Sequence, residues 1–136
     1  MRTLAALLLS VVMTACATPE PAAPSGAAAS HLAGTSWRRV DDLDANPHGA
    51  TMAFTAEGAS GDTGCNRWFT SVAQSGETLR FGDIGLTRRA CQTPMQAAAE
   101  RSFLEALNAA RYAHYDQHAL VLLDAQQQVI ARFDAQ

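Results

Sequence analysis

The sequence predicts an α+β domain, mainly β, in which a curved antiparallel sheet packs on a single helix. Two observations carry that expectation. From residue 31 onward, short apolar or alternating segments follow one another, separated by clusters rich in Gly, Asn and Asp. One stretch, after Thr93-Pro94, has instead the three-to-four-residue apolar spacing of a helix. Consecutive strands with short connections and one helix among them give an antiparallel sheet curled around that helix.

The chain opens differently. Met1-Arg2-Thr3 supplies a positive start, and residues 4–13 are apolar apart from Ser10. Such a run is too short to cross ~30 Å of hydrocarbon as a helix, but it fits the central region of a secretory signal. Met13-Thr14-Ala15-Cys16 resembles a bacterial lipobox, with Met where Leu is usual. The expectation is a signal peptide over 1–15 and an acylated Cys16 as the new N-terminus; the alternative is an ordinary cleaved signal. Three acyl chains exceed the two signals that stable membrane anchoring requires. Ala17 in place of Asp, by resemblance to other bacterial lipoproteins, favours the periplasmic face of the outer membrane. Residues 16–30 then form a linker of Pro, Ala and Ser without a large apolar side chain. It cannot bury enough surface to offset the entropy of ordering, and extended it reaches at most ~45–50 Å.

The remaining part, residues 31–136, is large enough for one modest core. The chain has 10 Lys+Arg, all of them Arg, against 13 Asp+Glu, for a net charge of −3. A clustered basic excess is the footprint of nucleic-acid binding, so that partner is not expected.

In order, a first strand is expected over 35–40 around Trp37, followed by the turn Asn46-Pro47-His48-Gly49. Residues 51–55 alternate, with Met52 and Phe54 on one face. Residues 57–62, with Gly58 and Gly61, read as a turn. Strands follow over 65–72 and 79–84, where Leu79 and Phe81 share a face. Thr93 suits a helix N-cap and Pro94 the first helical position, and Gln96 completes a capping box. A helix over 94–110 aligns Met95, Ala99, Phe103, Leu107 and Ala110 in one apolar stripe, with Arg101 and Glu105 paired on the outer side. Strands over 111–115, 119–123 and 129–133 close the domain. Residues 120–123 are continuously apolar and predict a central strand covered on both faces.

Cys65 and Cys91 remain once Cys16 is acylated. In an exported protein a disulfide is the default for such a pair. A zinc site with His48, His114 or His118 would need a metal-ligand spacing that the sequence does not have. A nucleophilic Cys91, ahead of a helix and beside Arg88 and Arg89, is the third reading, weakened by a partner cysteine competing for it. Asn66 could bind a ligand or satisfy backbone groups of a turn. Glu100 could meet Arg67 or face solvent, and the four histidines read as surface. Gly58, Gly61 and Gly64 lack the Lys-Ser/Thr of a phosphate loop.

Leu32-x-Gly34-Thr35-x-Trp37, Gly64-Cys65-Asn66-Arg67-Trp68, Thr87-x-x-x-Cys91, Glu100-x-x-Phe103-Leu104-x-x-Leu107 and Leu120-x-Leu122 occur here in this order. Together they resemble the META domain family over residues 31–136; its usual bacterial representatives are HslJ-like heat-shock lipoproteins. The resemblance implies a curved antiparallel sheet close to an incomplete barrel, packed on one helix. It implies envelope location, a link to stress or drug tolerance, and no catalysis. The expectation is therefore a non-enzymatic, lipid-anchored interaction module without cofactor or metal. Its partner would be an envelope protein or lipid. A carrier of a small apolar ligand or lipid is the alternative.

Overall fold

The structure is a computed structural model and describes residues 31–136. The expected signal peptide, Cys16 and the linker lie outside the described residues. Nine strands and one helix follow in the order β1 Ser36–Arg39, β2 Thr51–Phe54, β3 Gly58–Asp62, β4 Arg67–Ser75, β5 Thr78–Phe81, β6 Gly85–Leu86, α1 Pro94–Ala109, β7 Tyr112–Tyr115, β8 Ala119–Leu123 and β9 Val129–Ala135. They form one antiparallel sheet in the order β3-β2-β1-β9-β8-β7-β5-β4-β6, and β3 also pairs with β4. The sheet therefore returns on itself as a ring without being a barrel. Its narrowest seam is β5–β7, with the single register pair Thr78↔Tyr112. Helix α1 packs against β5 and β9.

Strand alternation decides what fills the ring. Trp37, Met52, Phe54, Trp68, Leu120, Leu122 and Phe133 are buried, with their strand neighbours more exposed. From the helix, Ala99, Phe103, Ala106 and Leu107 are buried. Phe103 meets Trp68 edge-on at 5.3 Å and Phe133 at 6.4 Å, the arrangement favoured by aromatic quadrupoles. Among the described residues no helix is long and apolar enough to cross a membrane.

The mainly β fold with one helix is as expected; several details differ. Residues 58–62 are a strand, not a turn. The glycines there serve close approach: a Cβ on Gly58 would strike Thr70 O, and one on Gly61 would strike Thr51 O. The strand expected over 65–72 starts at Arg67 and runs to Ser75, because Gly64, at φ +91°, turns the chain first. The strand expected over 79–84 is β5, which ends at Phe81, and the short β6 follows it at Gly85–Leu86. Met95 lies outside the buried helix stripe at 56% exposed, beside the exposed Pro94 at the start of the helix. Arg101 and Glu105 are exposed and make no ion pair among the described residues. Strand β8 is central, yet Val121 on its outer face is only half-buried.

Thr93 caps α1 by accepting the N–H of Gln96 at 3.1 Å. The reciprocal half of the box is shifted by one residue, with Gln96 Oε1 accepting the N–H of Gln92 at 3.0 Å. That shift pins the loop carrying Cys91 to the first turn of the helix.

Candidate functional site

Three segments converge at one rim of the ring: the β3–β4 turn 63–66, the loop 87–92 between β6 and α1, and the second turn of α1. Asn66 is buried and joins all three. Its Oδ1 accepts the Arg89 N–H at 2.7 Å and the Thr87 hydroxyl at 2.9 Å. Its Nδ2 donates to Arg89 O at 3.2 Å and to Glu100 Oε2 at 3.0 Å. Thr87 in turn accepts the N–H of Arg67 at 3.0 Å. The Asn side chain thus stands in for a ladder partner where the loop has no strand to pair with.

Thr63, also buried, organises the turn. Its Oγ1 accepts the N–H groups of Cys65 at 3.2 Å and Asn66 at 2.8 Å, and its hydroxyl donates to Glu100 Oε2 at 2.5 Å. Asn46 donates to Thr63 O at 3.1 Å, and its amide lies where a Cβ on Gly64 would go. Any L side chain at position 64 meets both a positive φ and that amide.

Cys65 and Cys91 are joined by a disulfide, with Cα atoms 5.2 Å apart and a separation of 26 in sequence. Cys65 is buried and Cys91 half-buried. Together with Glu100 they place three potential metal-ligating atoms within 4.8 Å of one another. A depression of about 190 Å³ opens beside the bridge, lined in part by Gly64, Arg89, Gln92 and Gln96.

Of the residues singled out from the sequence, Gly64, Asn66, Thr87, Glu100 and both cysteines meet here. Arg67 contributes only its backbone. Glu100 binds Thr63 and Asn66 rather than Arg67, because strand alternation turns Arg67 outward when Asn66 faces in. Gly34, Thr35 and Trp37 serve the start of β1 instead. Thr35 Oγ1 accepts the Trp37 indole N–H at 2.6 Å and donates to Leu32 O at 2.6 Å, while Gly34, at φ +86°, donates its N–H to Phe54 O. His31, His48, His114 and His118 are all exposed. The sequence marks Asn46 only as part of a turn and gives Thr63 no role; a Thr two residues before a Cys in a Gly-bearing turn is the available signal for Thr63.

A second polar group lies behind the turn. Arg39 is 4% exposed, and its Nε binds Asp41 Oδ1 at 2.7 Å while Nη1 approaches Asp42 Oδ2 at 3.5 Å. Burial pushes the Asp42 carboxyl above the usual carboxylate range, and the Arg39 charge offsets part of that shift. The Asp42 carbonyl accepts the Asn46 N–H at 3.0 Å, so this group positions the Asn that backs Gly64.

A model of the META domain family matches residues 30–136. No curated relative matches the chain. Among solved structures, the NMR structure of a protein from Burkholderia xenovorans is 26% identical, with a TM-score of 0.64 over 95% of this chain and 99% of that one. A crystal structure of a DUF4847 family protein from Bacteroides vulgatus is 19% identical, with a TM-score of 0.58 over 76% of this chain and 93% of that one. A further NMR structure, 18% identical with a TM-score of 0.59, covers 76% and 90% of the two chains. The latter two likenesses are of fold alone.

Proposed function

The chain belongs to the META domain family, and from that premise we propose a non-enzymatic module of the bacterial cell envelope. It is anchored through lipid on Cys16 at the periplasmic face of the outer membrane and binds another envelope protein, supporting stress or drug tolerance. One observation favours a binding surface over a ligand cavity. The ring is occupied by the domain's own side chains: Trp68, Phe103, Phe133, Met52, Leu79, Leu107, Leu120 and Leu122 are each less than 2% exposed. A carrier of an apolar ligand or lipid needs an apolar cavity of at least ~300 Å³. The depression of about 400 Å³ along β3 and β4 touches this core only at Trp68 and is otherwise bordered by Thr51, Ser60, Gly61, Asp62, Arg67 and Phe69. A tether of ~45–50 Å at full extension suits a domain that must reach a partner away from the bilayer.

Two experiments test the reading. Cys16→Ser is expected to leave the membrane fraction when cells are fractionated; unchanged membrane association would contradict the anchor. Crosslinking in living cells, with and without envelope stress, is expected to capture a reproducible protein partner. Capture of fatty acid or phospholipid and no protein would favour the carrier instead.

A further inference from the structure

Cys65, Cys91 and Glu100 come from three separate segments, yet one ligating atom of each lies within 4.8 Å of the others. As a disulfide the two sulfurs are poor metal donors; as thiolates they are the preferred ligands of borderline-soft cations. We propose that reducing the bridge converts this rim into a binding site for one divalent cation of the zinc class, held by Cys65 Sγ, Cys91 Sγ and a Glu100 carboxylate oxygen. The proposal is independent of the tethered-module reading, since it depends only on the geometry around the bridge.

The surroundings have the features such a site needs. Ligating carboxylates are oriented by hydrogen bonds from groups around them, and here Glu100 accepts from the Thr63 hydroxyl at 2.5 Å and from Asn66 Nδ2 at 3.0 Å. A carboxylate has about four acceptor positions, so these bonds leave Glu100 capacity toward the sulfurs. Asn66 Nδ2 also lies 3.4 Å from Cys65 Sγ, so the positive end of the amide dipole faces a thiolate there. The carrying loop is fixed from both sides, by Asn66 on Arg89 and by Gln96 on Gln92, which keeps the two cysteines close after the bridge opens. The depression of about 190 Å³ beside the bridge gives an entry path and room for water at a fourth, tetrahedral position.

The chemistry balances with a small dithiol as reductant. Its two thiols become one disulfide, and their two electrons and two protons convert the bridge to two cysteine thiols. The incoming cation then displaces both thiol protons to solvent, so binding weakens in acid.

The test uses the full chain, reduced with a dithiol, freed of it under anaerobic conditions and titrated with cobalt(II), which takes zinc sites and reports them by colour. The expected result is a thiolate-to-cobalt charge-transfer band with tetrahedral visible bands, saturating at one ion per chain and abolished by zinc(II). The oxidised protein should show none of these. Glu100→Gln keeps the side-chain shape and an acceptor for Thr63, and should weaken cobalt binding by more than the roughly 10–100-fold that loss of a group merely orienting a ligand costs. Far-ultraviolet circular dichroism accompanies each titration. A reduced chain that unfolds and is refolded by cobalt supports the site. A reduced chain, folded or not, that develops no thiolate band overturns it, as does an affinity unchanged by Glu100→Gln.

Discussion

The side-chain amide of Asn66 and the carboxylate of Glu100, 34 positions apart in sequence, meet at 3.0 Å. This contact locks the β3–β4 turn onto the helix, while the other bonds of Asn66 hold the loop between β6 and α1. Asn66→Ala would leave the Arg89 N–H and the Glu100 carboxylate each short of a partner. Each unsatisfied buried group costs about 1–3 kcal/mol, so a loss of about 3 kcal/mol in urea unfolding is expected. Glu100→Gln, which keeps an acceptor, should cost less than half as much. Equal, near-zero losses would mean that the cluster does not hold the rim.

The disulfide spans 26 positions, and on a chain-entropy basis closing that loop stabilises the domain by about 3.5 kcal/mol. The Cys65→Ala, Cys91→Ala double variant is expected to melt roughly 14–28 °C lower, at 4–8 °C per kcal/mol. Intact protein should react with an alkylating reagent at these positions only after reduction. Two thiols alkylated without reduction would contradict the bridge.

Helix α1 gives a graded series. Phe103→Ala should cost about 3–5 kcal/mol and Leu107→Ala about 2–5 kcal/mol, because both are fully buried. Thr93→Ala should cost about 1 kcal/mol through the lost cap. Met95→Ala should change stability by less than about 0.5 kcal/mol, being a surface substitution. A Met95 effect as large as that of Leu107 would show that the first turn is packed.

Two aspartates should leave opposite marks on stability against pH. The N–H groups of His118 and Ala119 hold the Asp116 carboxyl below the usual range. Its contribution is therefore present above about pH 3.9, the unfolded value, and is lost as pH falls through the lower folded value. Asp42 is raised by burial, so its contribution is full below about pH 3.9 and is lost as pH rises through the higher folded value. In urea midpoints measured across pH, Asp116→Asn should lack the loss at the acid end. Asp42→Asn should lack a gain on acidification toward pH 3.9. Profiles parallel to that of the parent chain would contradict both assignments.

How much of this was legible in the sequence depended on how local the cause was. Thr93-Pro94 and the spacing of Ala99, Phe103 and Leu107 announce the helix because capping and periodicity act within a few residues. Met95 fits the same period and is exposed, since the period does not say which turns of the helix the rest of the fold covers. Gly58 and Gly61 read as turn glycines; their strand role comes from Thr70 and Thr51 backbones pressing on them, which only the fold supplies. The cysteines, Asn66, Thr87 and Glu100 were visible as separate motif residues. Their convergence on one rim, and the part played by Thr63 and Asn46, required the tertiary arrangement.

The central claim is that the domain fills its own ring and works through its surface. Mass spectrometry of the chain purified from cell envelopes, compared under non-denaturing and denaturing conditions, tests it most directly. The comparison separates lipid attached covalently at Cys16, which survives denaturation, from a ligand held inside the fold, which does not. The expected result is the same mass under both conditions. A loss of one fatty acid or phospholipid mass per chain on denaturation would contradict the account.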